Sequence, residues 1–210
     1  MDKRKNILAI GAHPDDVELG CGGTISKHLE LGDEVYVLIM TNGEKGSHAP
    51  NREECFKSLE KLGIKKENIF FGNFPDGSLS DNQLVVSLIE SYLEKFLIDR
   101  VYTHYHNDRH QDHRYCSFAV SSAARKFPEI FLFQGPSTKS FFEPHYFIAL
   151  NENNLKKKLD SLYCYQSQIS KGIVNIQWVE SLASLHGLLH NAKYAEAFAI
   201  NHVLRKENEV

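Results

Sequence analysis

The sequence predicts an α/β fold in which a mostly parallel sheet is flanked by helices. Three observations carry that expectation. Short runs rich in Val, Ile and Leu alternate with longer helix-like stretches, the connections are punctuated by Pro, Gly, Asn and Asp, and 210 residues at 42% hydrophobic content suffice for a single domain, 1–210, folded without staples. Alternation of this kind favours parallel strands joined by helical crossovers.

Taken in order, Asn6 to Ala12 reads as a buried strand, and the turn at His13-Pro14 hands over to a helix from about Asp16 to Leu31. Glu34 to Thr41 is the next strand, followed by a loop from Asn42 to Pro50, a helix from about Arg52 to Leu62 and a strand from Asn68 to Gly72. After the loop Phe74-Pro75-Asp76-Gly77 come a helix over Gln83 to Leu97, a strand over Arg100 to His104 and a helix over Asp112 to Lys126. Beyond Glu129 to Phe133 the rhythm loosens. His145 to Leu150 reads as a strand, Leu155 to Tyr165 and Val179 to His190 as helices, and Tyr194 to Val203 as a mixed tail. The whole is Rossmann-like, and in such sheets ligands sit beyond the carboxyl ends of the strands.

Two polar clusters occupy that kind of position. The first is Ala12-His13-Pro14-Asp15-Asp16, and the second is His110-Gln111-Asp112-His113. Pro14 restricts His13 to extended geometry, so His13 ends its strand and points out of the sheet top. Asp15 and Asp16 open the following helix, where carboxylates are favoured by unpaired N–H groups, and simple capping is the bland explanation for them. The chemical explanation makes His13 and Asp16 metal ligands and leaves Asp15 beside the metal as a base.

The segment Thr103 to His113 holds four of the chain's eleven histidines. His113 is the third candidate ligand, and Asp112 either caps the helix or steers an imidazole. Three protein ligands and an open position suit Zn2+, which lowers the pKa of water towards ~7. His110 is then free to stabilise an oxyanion or deliver a proton. His104 and His106 receive no role.

Composition excludes other classes. A net charge of −3 gives no bulk attraction for nucleic acid or anionic membranes, and a small neutral substrate fits it better. No run approaches the ~20 apolar residues of a membrane span. Cys21, Cys55, Cys116 and Cys164 form no CxxC and read for the most part as buried thiols of a reducing compartment, so a cytoplasmic location is expected. Gly20, Gly22 and Gly23 lie too far past the strand for a nucleotide loop and no GK[ST] follows, which leaves close helix packing as their role. Trp178, Tyr163 and Phe141 have the chemistry to stack on a sugar but read as core residues.

With these motifs in hand, the chain resembles the LmbE-like, or PIG-L-type, zinc-dependent N-acetylglucosaminyl deacetylases. The resemblance rests on Ala12 to Thr24, Asn107 to His113, Thr41-Asn42-Gly43-Glu44, Arg52-Glu53-Glu54, Phe74-Pro75-Asp76, Tyr165-Gln166-Ser167-Gln168 and Tyr194 to Phe198. It implies zinc on His13, Asp16 and His113, with Fe2+ or another divalent ion as the cellular alternative. It also implies Asp15 as general base, His110 at the oxyanion, and Arg52 and Asp76 on sugar hydroxyls with Glu44 nearby. Two positions depart from the usual pattern: Gln111 replaces a proline, and His186-Gly187 stands where Arg-Gly is common.

The expected reaction is hydrolysis of an N-acetyl group on an amino sugar or small glycoconjugate, with either Asp15 or His110 protonating the amine. An amidase for a bulkier thiol-sugar or secondary-metabolite amide is the close alternative, and a non-catalytic metal- or sugar-binding module the distant one. The resemblance also allows a homo-oligomer.

Overall fold

Why do clusters so far apart in sequence meet? The sheet order answers the question. The computed structural model describes residues 4–43, 52–127 and 129–204. Strands β1 (Asn6–Gly11), β2 (Glu34–Thr41), β3 (Ile69–Phe74), β4 (Arg100–His104), β5 (Glu129–Phe133), β6 (Tyr146–Leu150) and β7 (Tyr194–Val203) form one sheet in the order β3-β2-β1-β4-β5-β7-β6. The first five are parallel, while β7 runs antiparallel to both β5 and β6. The chain leaves β1 on one side towards β2 and β3, then returns on the other side to β4. The crevice between β1 and β4 is therefore a topological switch point.

Alternation along β1 sorts its side chains between two cores. Ile7 and Ala9 join Val35, Val37 and Ile39 on one face, and Leu8 and Ile10 join Leu38, Met40 and Val101 on the other. That two-residue period, with both faces apolar, is what a strand buried under helices on either side requires. Helices α1 (Asp16–Glu30), α2 (Arg52–Leu62) and α5 (Glu152–Leu162) pack together and supply the first core. Helices α3 (Gln83–Lys95) and α4 (Gln111–Ala123) supply the second. The remaining helices are the short α6 (Gln166–Ile169) and α7 (Ile176–Leu188), the latter against β7. No described helix is long and apolar enough to cross a membrane.

Several expectations need correction. The supposed mixed tail is the long strand β7, inserted between β5 and β6. The third strand runs Ile69–Phe74 rather than from Asn68 to Gly72, because a 3-10 turn holds Lys66–Asn68. Helices α5 and α7 begin three residues earlier than expected, at Asn151 and Asn175 caps that accept backbone N–H groups. Tyr163 and Phe141 are exposed rather than core, whereas Trp178 does pack against the core.

Helix α1 carries a break that the last third of the chain repairs. Cys21 has φ −145° and ψ 20°, outside helical geometry. In an unbroken helix the Gly23 N–H would bond the Leu19 carbonyl. Here Glu196 of β7 accepts from Gly23 and Thr24 N–H at 3.0 and 2.6 Å, and Lys158 of α5 donates to the Leu19 carbonyl at 2.8 Å. The two side chains also pair with each other at 2.5 Å, both fully inside the protein. Gly20 and Gly23 confirm the expected close packing, since a Cβ at either would run into Phe133 or Leu150.

Removing one member of a buried ion pair strands its partner, at about 3–5 kcal/mol. Glu196→Ala should therefore lower unfolding stability by that amount in a urea titration. A loss below about 1 kcal/mol would mean that the pair does not hold α1.

Candidate metal centre and cleft

The site begins where β1 and β4 end side by side. Their register pairs Ala9 with Tyr102, so the chain turns out of the sheet at neighbouring points, after Gly11 and after His104. Asp15 then adopts φ 95° and ψ −26°, a left-handed conformation that costs a non-glycine residue roughly 1–3 kcal/mol. It makes no side-chain cap hydrogen bond, so the capping explanation fails for Asp15. Instead it lines a cleft of about 350 Å³ together with His13, Asp16, Asp76, His110 and His113.

Asp16 lies between the two imidazoles expected to join it. One of its oxygens is 3.4 Å from His13 Nδ1, and the other is 3.3 Å from His113 Nε2. The first oxygen also accepts the His13 backbone N–H at 2.7 Å. Each imidazole has its remote nitrogen held by a carboxylate. His13 Nε2 meets Asp112 at 3.3 Å and Asp76 at 3.2 Å, while His113 Nδ1 meets Asp108 at 3.3 Å and Ser137 Oγ at 3.1 Å. Asp112 is fixed in turn by the Gly77 and Leu79 N–H groups at 2.6 and 3.2 Å. Asp112 thus steers an imidazole. The helix cap of α4 is His110, whose Nδ1 accepts the Asp112 N–H at 3.2 Å.

Sequence reasoning missed four residues of this centre. His104, fully buried, stacks on His113 with ring centroids 4.0 Å apart and accepts the Ala12 N–H at 3.1 Å. Asp108, also fully buried, accepts from Ser137 and Thr138 hydroxyls at 2.6 and 3.0 Å and so ties their loop to His113. A signal existed for His104, the last residue of a strand beside β1, and for Asp108, two positions before His110. Ser137 and Thr138 offered none. Gln111, in the unusual position, donates its amide to the Gly77 carbonyl at 2.5 Å and pins the turn bearing Asp76.

The remaining expected site residues are less central. Asp76 lines the cleft, but Arg52 does not. Arg52 opens α2, bonds Asn42 and Asn73, and lies over the Phe71 ring at 4.4 Å. Glu44 falls outside the described residues.

Electrostatics separate the adjacent aspartates. Burial, followed by the charges of Asp16 and Glu18, raises the Asp15 carboxyl well above its ordinary range. Burial works against ionising Asp16 as well, yet the His113 and His104 rings hold it well below that range. Burial would lower His13, but Asp112, Asp16 and Asp76 push it up to about 12. Burial and then His113 bring His104 down to about 4, and burial with His113 and His13 lowers His110.

This donor set fits a divalent cation. Among the described residues, three overlapping groups place ligand atoms within 4.8 Å of one another: His13, His110, His113; Asp16, His104, His113; and His13, Asp76, Asp112. An imidazole backed by a carboxylate is the usual support of a metal-ligating histidine, and it occurs twice here.

Comparison with known proteins agrees with the geometry. The family PIG-L, GlcNAc-PI de-N-acetylase, matches residues 8–124. The uncharacterized deacetylase YaiS of Escherichia coli K12 is 35% identical over 79% of this chain and 93% of its own. The diacetylchitobiose deacetylase of Thermococcus kodakarensis is 28% identical over 91% of this chain and 81% of its own. The fold is also that of GalB, the 4-carboxy-2-hydroxymuconate hydratase of Pseudomonas putida KT2440, with a TM-score of 0.83 at 19% identity over 98% of this chain and 100% of that one. With its two clusters joined at one switch point and a family match across both, the chain belongs to the PIG-L de-N-acetylase family.

Proposed function

We propose that the protein is a zinc-dependent N-deacetylase that releases acetate from an N-acetylglucosaminyl-type amino sugar. The observation that carries this reading is Asp16 set between two imidazoles, each backed by its own carboxylate. His13, Asp16 and His113 would hold the ion, which supplies positive charge to polarise the acetamide carbonyl and acidify water. The relatives' acetamido-sugar substrates support the substrate class.

The chain's own groups do the rest. Asp15, with a raised proton affinity and a left-handed backbone that turns it away from capping, takes a proton from the attacking water. Water oxygen bonds to the acetamide carbon as the carbonyl becomes an oxyanion. His110 accepts the Asp112 N–H through Nδ1, which leaves its Nε2–H as the donor to that oxyanion. The C–N bond then breaks, the proton held by Asp15 passes to the departing nitrogen, and acetate and a free amine result. Asp112 keeps His13 in register and Asp76 accepts from a sugar hydroxyl, while Arg52 and Glu44 are the further sugar contacts that the family resemblance implies.

Two outcomes test the assignment. Asp15→Asn should keep its zinc, measured by elemental analysis, while acetate release falls roughly 10²–10⁴-fold. His113→Ala should lose zinc. Unchanged acetate release in Asp15→Asn would show that another group is the base.

A second prediction follows from His13, which must surrender a proton to become a ligand. Because its metal-free value is raised to about 12, zinc uptake at pH 8 should release a proton from it, visible with an indicator dye in weak buffer. Affinity should then climb by about tenfold per pH unit across neutrality for that single proton. The sign for stability is opposite. In metal-free protein the His13 contribution is present in full below the ordinary 6.5 and is lost as pH rises through about 12. Zinc affinity that is flat with pH would contradict a cationic His13.

A further inference from the structure

We propose that Ile173 is a specificity-determining contact for an apolar aglycone, alkyl or aryl, carried by the acetamido sugar; this deepens the deacetylase reading and rests on it. The reacting groups lie at the floor of the cleft, where Asp15, Asp16 and His113 are 6%, 7% and 7% exposed. Ile173 lines the same cleft yet is 49% exposed, which places it at the mouth. A substrate with its acetamide on the floor projects whatever its sugar carries towards that mouth.

The backbone holds Ile173 in place. The Gln168 carbonyl accepts N–H groups from Lys171, Ile173 and Val174 at 3.3, 3.1 and 3.4 Å, and the turn passes through Gly172 at φ 71°. Val174 goes into the core, so its neighbour Ile173 faces outward. The turn is moored on the helices below it. Tyr165 donates to the buried Glu18 at 2.7 Å, and Ser167 donates to Glu54 through its hydroxyl at 2.8 Å. A contact ordered before binding costs little entropy when it forms.

The cleft's chemistry points the same way. Pro14, Leu19 and Pro136 accompany Ile173, and no Lys or Arg is among the described lining residues, whose acidic members are Asp15, Asp16 and Asp76. An anionic aglycone finds no Lys or Arg to pair with among those residues, and an apolar one meets carbon.

The test uses the zinc-loaded full chain and three substrates: N-acetylglucosamine, its phenyl β-glycoside and its 1-phosphate. The phenyl glycoside should have the highest kcat/KM and the 1-phosphate the lowest. Ile173→Ala should lower kcat/KM for the phenyl glycoside by about five- to twentyfold, leave the free sugar within about twofold, and be rescued by Ile173→Leu. An unchanged preference in Ile173→Ala, or the 1-phosphate as best substrate, overturns the proposal. Calorimetric binding of phenyl glucosaminide, the amine product, reads the same contact without turnover. If wild type releases no acetate but this amine binds and Ile173→Ala weakens it, the deacetylase reading falls and the contact stands. Equal binding to both proteins removes the contact.

Discussion

The parallel pairing of β1 with β4 is the constraint on which the rest depends. It carries no catalytic side chain, yet it sets the ends of two strands next to each other and lets each shed its next residues into one crevice. Asp16 can lie between His13 and His113 because their segments leave the sheet at adjacent points. His104 reinforces that junction by accepting the Ala12 N–H beyond the last ladder pair and lying flat against His113. A one-residue slip in this pairing would separate the imidazoles and exchange the side chains that each core receives.

Much of this was legible because the signals are local. Strands β1, β2, β4 and β5 are short apolar runs bounded by turns, His13 lies two residues past the end of β1, and His113 opens the helix that follows β4. What escaped is tertiary. Strand β7 alternates alanine with Glu196, a pattern that looks weak until Lys158 arrives from α5 to neutralise the carboxylate. Asp108 looked like one more polar residue in a histidine-rich loop, because its partners Ser137 and Thr138 come from beyond β5. Arg52 illustrates the converse. Its place in a family motif was visible, but its side chain is engaged by Asn42, Asn73 and the Phe71 ring rather than by the cleft.

Likeness of fold does not choose the reaction. A hydratase shares this topology at a TM-score of 0.83, so the sheet alone is compatible with adding water to a carbon–carbon bond or to an amide. The groups that face the crevice, rather than the sheet, carry the proposed reaction. In it the two carboxylate-backed imidazoles and Asp16 hold the ion, Asp15 takes the proton from water and His110 donates to the oxyanion.

A division of labour within the chain follows. Among the described residues, the groups that could hold a metal ion lie inside the segment matched by the family, residues 8–124. Several of the side chains that brace and wall the site come from outside it. Ser137 orients His113, Lys158 and Glu196 hold the broken helix that bears Asp15 and Asp16, and Gln168 with Ile173 closes the cleft. Bracing contacts such as the Lys158–Glu196 pair are set by the geometry of α1 and resist change, because a lone buried charge is costly. Ile173 answers to no such demand, since it packs into neither core and its turn is built from backbone hydrogen bonds. Substrate choice can therefore shift at the mouth of the cleft without disturbing either the ion-binding residues or the helix that presents them.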